Sequence, residues 1–440
     1  MRLSLPELEI TKDEGFNPEK DIFRRAKYGQ QLTNFILNAE ENLVFALDSS
    51  WGSGKTTFIK MWHSHNNTHE PRLKTIYFDA FQNDYQSDPF LALASEVYDL
   101  FEDGDEESKN DFKEKASNVF KAFSRGVIRT GVKVATAGVI DGSALDSAEK
   151  EISTLLSDQV DSVIADKFES SKADKNALNE FKKYLEKVVA EHTINNKLVF
   201  VIDELDRCRP DFALEILEKI KHLFSVPGLT FVLVMNREQL QESVKSRYGN
   251  GINASLYLQK FINVWLTLPN MKSHGISDHT GIFLNHAALK MNSQLFSGPA
   301  TVSRLFKTLI KQNSTSFREI ERMLTYFAVF ENTHALLGDH NDHLAMCCVC
   351  YLKVADPLVL RGLLNKKITA EEVHESLGIT TDSLDRASQA LAYLIEASLC
   401  TEGELEIMIK DKKVLTNSYG EVSQNIFREI TEILDGFSVG

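Results

Sequence analysis

The stretch Leu43-Val44-Phe45-Ala46-Leu47-Asp48-Ser49-Ser50-Trp51-Gly52-Ser53-Gly54-Lys55-Thr56-Thr57 runs from apolar residues through small ones into Gly-Lys-Thr-Thr. It reads as a short strand, a loop and the first turn of a helix. A phosphate-binding loop, or P-loop, needs that order. Backbone N–H groups of the loop wrap phosphate oxygens, and the helix aims its positive end at the anion. In that reading Trp51, Gly52, Ser53, Gly54, Lys55, Thr56 and Thr57 hold the nucleotide. Lys55 places a charge near the β- and γ-phosphates, and Thr56 offers its hydroxyl to Mg²⁺. The pattern G-x-x-x-x-G-K-[ST] has a glycine at position 49, where this chain has Ser49. The assignment therefore needs support from elsewhere.

A second stretch supplies it. Lys197-Leu198-Val199-Phe200-Val201-Ile202-Asp203-Glu204-Leu205-Asp206-Arg207 contains a strand too apolar for an exposed edge, which belongs in the buried centre of a parallel sheet. It ends in a carboxylate pair, at the strand end where doubly wound sheets bind ligands. Asp203 suits the Mg²⁺ coordination sphere, and Glu204 suits polarising the attacking water. A third apolar run, Leu229 to Met235, ends in Asn236-Arg237. Lying between the other two strands, Asn236 would sense the γ-phosphate or orient the water; a turn-forming asparagine is the alternative. Arg237 is the nearest candidate for a transition-state charge donor, with a salt bridge as its other reading. Leu73 to Phe78, and a last strand after a helix end within Tyr257 to Pro269, closed by Pro269, complete a five-stranded, mostly parallel sheet.

Around these strands the spacing is helical, so the fold class is α/β, a P-loop NTPase with a helical insertion and a C-terminal helical region. Residues 1–103 and 191–270 form the expected core, 104–190 the insertion, 271–350 a helical lid and 351–440 a C-terminal module. Before the P-loop, Leu32, Phe35 and Ile36 mark a helix, and Phe23 or Tyr28 could contact adenine, unless this segment only packs on the sheet edge. In the insertion, Lys121, Arg125, Arg129 and Lys133 recur every four residues and form a basic stripe, either a solvated face or a surface for an acidic partner, anionic lipid or nucleic acid. Within the lid, Arg318 or Arg322 either reaches the phosphates or pairs with Glu319, Glu321 or other acids. His340, His343, Cys347 and Cys350 have metal-like spacing. On one helix they would spread over about 15 Å, whereas zinc ligands lie within about 2.3 Å of the ion; the cysteines read instead as core residues. Further on, the alternation in Glu404 to Ile409 and Lys413 to Thr416 suggests a hairpin. With three preceding helices it suggests a winged-helix module, whose acidic excess favours protein packing over phosphate backbones.

Composition narrows the setting. The 440 residues leave room for two or three domains, and the 43% hydrophobic and 25% charged fractions are ordinary for a globular chain. A net charge of −14 argues against a globally basic nucleic-acid binder and leaves only a local basic patch open. Five cysteines without framework spacing, and Met1 to Pro6 without an apolar signal segment, predict a reducing, cytoplasmic setting. No uncharged apolar run approaches the roughly 18 residues of a membrane span.

With both nucleotide motifs placed, the chain resembles the KAP family of P-loop NTPases, within the STAND-like signalling group. The resemblance rests on Trp51-Gly52-Ser53-Gly54-Lys55-Thr56, Tyr77-Phe78-Asp79-Ala80-Phe81, Val201 through Cys208, Tyr257-Leu258-Gln259-Lys260, and Arg318 at the start of a late helix. It covers roughly residues 20–330 and departs from the family pattern at Ser49, Phe81 (usually tryptophan) and Glu204 (usually aspartate). It implies Mg²⁺-dependent ATP binding and hydrolysis that drives a conformational or assembly switch, with protein partners or a homo-oligomer. Family members often carry membrane spans between the two motifs; here that region is the basic insertion. Bacterial relatives are linked to phage exclusion and defence. The expected roles are Lys55 on the phosphates, Thr56 and Asp203 at Mg²⁺, Glu204 as base, Asn236 as sensor, and Arg318 as a further catalytic cation. A nucleotide-gated adaptor that does not hydrolyse is the competing reading.

Overall fold

A computed structural model describes the chain apart from residues 7, 40–41, 71, 87, 102–104, 137–151, 270–271, 274–275, 278, 294–295, 297–299, 314, 334–339, 417–419 and 437–440, and apart from the side chains of 123–136, 152–171, 272–273, 276–277 and 300–301. Five strands, β1 (Val44–Asp48), β2 (Lys74–Asp79), β3 (Leu198–Asp203), β4 (Leu229–Met235) and β5 (Val264–Thr267), form one sheet in the order β2-β3-β4-β1-β5. Every pairing in it is parallel. All residues of β3 and β4 are buried, as their unbroken apolar runs require of central parallel strands.

Helices α1 (Ala26–Asn38), α2 (Lys55–Thr68), α3 (Ala80–Asn83), α4 (Pro89–Tyr98), α5 (Glu106–Thr136), α6 (Ile152–His192), α7 (Pro210–Leu223), α8 (Arg237–Tyr248) and α9 (Ala254–Leu258) accompany the sheet. Alternate strand residues point to opposite faces. Phe45, Leu47, Val199, Val201, Val232 and Val234 pack with Ile36 of α1 and with Phe58, Ile59 and Trp62 of α2. Phe200, Ile202, Phe231 and Leu233 face the other way, against Phe90, Phe112, Phe181 and Leu217 of α4 to α7. Within the expected insertion, the described residues of α5 and α6 pack on this face of the sheet through Phe112, Val119, Phe181 and Leu185. Of the basic stripe, Arg125, Arg129 and Lys133 lie outside the residues whose side chains are described.

One half-buried group on α2 makes stability pH-dependent. His63 Nδ1 lies 2.8 Å from Thr75 Oγ1, and burial, helped by Lys74 and Lys12, pushes its pKa down to about 4. The unfolded histidine takes a proton near pH 6.5 while the folded one stays neutral, so this contribution is complete above pH 6.5 and is lost as pH falls toward 4. Partial exposure discounts the loss to roughly 2 kcal/mol. His63→Gln should remove that part of the slope, which denaturant unfolding at pH 7, 5.5 and 4 measures. Parallel curves for the two proteins would refute it.

The remaining helices are α10 (His279–Lys290), α11 (Ala300–Gln312), α12 (Phe317–Thr333), α13 (His340–Ala355), α14 (Pro357–Leu364), α15 (Ala370–Leu377), α16 (Arg386–Leu399), α17 (Glu402–Lys410) and α18 (Ile426–Asp435). They share a separate core that continues on both sides of residue 350. Cys347, Cys348 and Cys350 of α13 are fully buried in it.

The expected hairpin is corrected. Residues 404–409 are the body of α17, and no described residue after Ser277 is in a strand. The Glu404 carboxylate accepts from Thr401 N–H at 2.9 Å and from its hydroxyl at 2.8 Å, a cap that starts a helix. Met408 is buried while Ile407 is 59% exposed, the opposite of what a strand with 405, 407 and 409 inward demands. The winged-helix expectation therefore has no hairpin at these residues to support it.

Candidate functional site

Because β4 separates β3 from β1, the C-terminal end of the acidic strand faces the loop that leaves β1. That loop curls into α2 through Gly52 (φ 72°) and Gly54 (φ 82°), conformations that a side chain resists. Lys55 is buried and turned back into the loop, donating to the Ser50 carbonyl at 3.0 Å and to the Ser49 carbonyl. Burial lowers its pKa, opposed by Asp206, Asp48 and Asp203. At the loop tip, Trp51 Nε1 donates to Asp206 Oδ2 at 2.6 Å, joining the P-loop to the turn after β3.

Asp203 closes β3 with 1% exposure. Its Oδ2 accepts from the Tyr77 hydroxyl at 3.0 Å and its Oδ1 from Glu204 N–H at 2.8 Å, and the Thr56 hydroxyl faces the same carboxylate. Burial raises its pKa to about 6, and those hydrogen bonds oppose the rise. Glu204 follows at φ 58°, the left-handed region that costs a non-glycine residue about 1 kcal/mol. Arg207 Nη1 lies 3.0 Å from both of its carboxylate oxygens. Burial raises the Glu204 pKa, while Arg207 and, more weakly, Arg318 hold it down.

Trp51 through Thr57, Asp203, Glu204 and Arg318 line one cleft of about 250 Å³. Asn236 is not among its lining residues; its Oδ1 accepts from Gln239 N–H at 3.2 Å and caps α8. Arg237 turns away, stacked 4.6 Å over Trp265 and donating to Ser255 Oγ at 2.9 Å.

The model of the KAP family P-loop domain matches residues 25–334. The chain belongs to that family. A comparison with curated proteins returned no match. Among solved structures, similar folds include the Aeropyrum pernix ORC2 protein in its ADPNP–ADP complexes, with 13% identity, 98% of this chain and 96% of that chain covered, and a TM-score of 0.34. The ADP form of the same protein has 12% identity, coverage of 98% and 95%, and a TM-score of 0.35. TM-scores of this size describe a loose correspondence.

The KAP match extends from Arg25 through α12, so it takes in helices beyond the sheet. Those helices touch the P-loop directly. Phe317 N–H donates to the Gly52 carbonyl at 3.3 Å, and a methyl group on Gly52 would lie 3.2 Å from Arg318 N. The N-terminus of α12 therefore rests on the loop. A second cavity of about 770 Å³ adjoins the cleft and is lined by Phe23, Arg25, Phe58 and Phe317 among others. Phe23 stacks on Phe317 at 5.0 Å, whereas Tyr28 packs on Phe58 at 5.5 Å and donates to the Thr267 carbonyl at 3.3 Å. Of the two candidates, only Phe23 lines the cavity.

Several residues of the KAP site carry no local signal in the sequence. Arg25 is 5% exposed and donates to the carbonyls of Ser53 and Gly54 at 3.2 and 3.4 Å, from beneath the loop. Burial lowers its pKa to about 10, so it stays cationic at neutral pH. Phe317 and Glu321 are equally silent in sequence, since each reaches the site through a contact that only folding creates, whereas Arg207 stands three residues from Glu204 in the acidic stretch. Tyr77 had a usable signal: it stands in β2, which the parallel register places beside β3.

Family membership carries nucleotide binding. Among the described residues no helix is long and apolar enough to cross a membrane.

Proposed function

We propose that the chain binds ATP with Mg²⁺ in this cleft and hydrolyses it, using the reaction to switch the position of α12. The observation that supports this best is the meeting of Thr56, on the first turn of α2, with Asp203 at the end of β3. The two offer a hydroxyl and a carboxylate, an all-oxygen set that suits Mg²⁺, which takes one or two protein oxygens and completes its shell with phosphate and water. Bound there, the ion would neutralise charge on the β- and γ-phosphates.

This chain's residues do the rest. Loop N–H groups, Lys55 and the start of α2 hold the phosphates. Glu204 takes a proton from the water that attacks the γ-phosphorus as the bond to the β-bridging oxygen breaks, giving ADP and phosphate. For that, its carboxylate must leave Arg207. Arg318, exposed at the cleft and without an ion pair among the described residues, supplies charge to the leaving phosphates. Asn236 contributes only through its Nδ2, because Oδ1 caps α8. Movement passes outward through the Gly52–Phe317 hydrogen bond.

Phosphate release from ATP by the purified chain should fall to background when Mg²⁺ is chelated and return when it is restored. Nucleotide binding with no phosphate release in either condition would overturn hydrolysis. It would favour the second reading, a nucleotide-gated adaptor, which the Arg207–Glu204 ion pair supports by holding the base away from water.

A further inference from the structure

The cleft and the larger cavity share six lining residues: Gly54, Thr57, Phe283, Phe317, Arg318 and Glu321. These form the neck between them. A nucleotide with its phosphates in the cleft and its base in the cavity has to place its ribose in that neck, because the sugar is the covalent link between the two ends. The neck pairs the rings of Phe283 and Phe317, stacked at 4.5 Å, with the polar Thr57, Arg318 and Glu321. Its one carboxylate needs an explanation. A negative charge beside a triphosphate is unfavourable unless something nearby donates to it.

Glu321 is half-buried, and no described residue offers it a hydrogen bond or an ion pair within 4 Å. Burial raises its pKa, and Arg318 opposes the rise from the preceding turn of α12. The helix holds Glu321 in place through the rest of α12 on the P-loop, and Thr325, one turn on, binds the Glu321 carbonyl at 3.0 Å without touching the carboxylate. The carboxylate is an acceptor with no donor of its own when ionised. Between base and phosphates, the donors that a nucleotide presents are its ribose hydroxyls.

We propose that Glu321 accepts a hydrogen bond from a ribose 2′- or 3′-hydroxyl and so selects against nucleotides whose sugar lacks that hydroxyl. An acidic residue on a ribose hydroxyl is a physically sound pairing in other nucleotide folds. Arg318 keeps the local charge near neutral and lets the carboxylate stay ionised beside the phosphates. The proposal deepens the nucleotide reading above and rests on it.

Affinities of the full chain for ATP, 2′-deoxy-ATP and 3′-deoxy-ATP, measured by titration calorimetry, test it. The wild type is expected to bind at least one deoxy analogue about ten- to a hundredfold more weakly than ATP, the range for a hydrogen bond to a charged group. Glu321→Leu should bring that ratio near unity, and Glu321→Gln, whose amide oxygen still accepts, should shrink it without abolishing it. Equal affinities in the wild type, or an undiminished ratio in both variants, would overturn the proposal. If Glu321→Leu does not fold, the wild-type ratio and Glu321→Gln decide. A folded wild type that binds none of the three nucleotides is a separate result, and it overturns the nucleotide reading itself.

Discussion

Lys55→Ala is expected to weaken ATP binding by at least about a hundredfold, the cost of losing charge-assisted hydrogen bonds to two phosphates. Lys55 is 9% exposed, and its ammonium turns into the loop, where it meets the Ser49 and Ser50 carbonyls. Burying that charge is costly, and the carbonyl bonds offset the cost, so the unliganded protein should melt at nearly the same temperature with or without it. What should vanish is the rise in melting temperature on adding ATP, since a ligand stabilises only by its preference for the folded state. Thermal melts across an ATP series separate the two effects. An undiminished ATP-induced rise in the variant would mean that the phosphates lie elsewhere.

Glu204→Gln is expected to do the reverse: to leave ATP affinity nearly intact and to slow phosphate release by about a hundred- to a thousandfold, within the range for losing a general base. Glutamine keeps the size of the side chain, and its amide oxygen still accepts from Arg207, so the ion pair at 3.0 Å becomes a hydrogen bond from the guanidinium to an uncharged amide rather than a gap. It also keeps the left-handed backbone at φ 58°. Only the ability to take a proton is removed. Single-turnover phosphate release beside equilibrium binding measures both quantities on one sample. Unchanged release with unchanged binding would remove Glu204 from the chemistry.

Much of the sheet could be read in advance because its signals are local. Unbroken apolar runs mark β3 and β4 as central, and both are buried along their whole length. Alternation misled at 404–409, where isoleucine and leucine fit either period and the Thr401–Glu404 cap settled the choice for helix. Asn236 shows another limit. Its place at the end of β4 suits a sensor, yet its oxygen is committed to the first turn of α8.

By itself, the sequence determined the strand–loop–helix around Lys55 and the carboxylate pair after Ile202, because contiguous residues set backbone direction and side-chain type together. The tertiary structure alone decided what surrounds them. The second core seats the start of α12 on Gly52, which brings Arg318 and Glu321 to the P-loop cleft from more than 260 positions away in the chain. Arg25 comes to lie beneath the loop by the same kind of contact. Such contacts depend on how two separately packed layers meet, and no periodicity within either layer encodes that meeting.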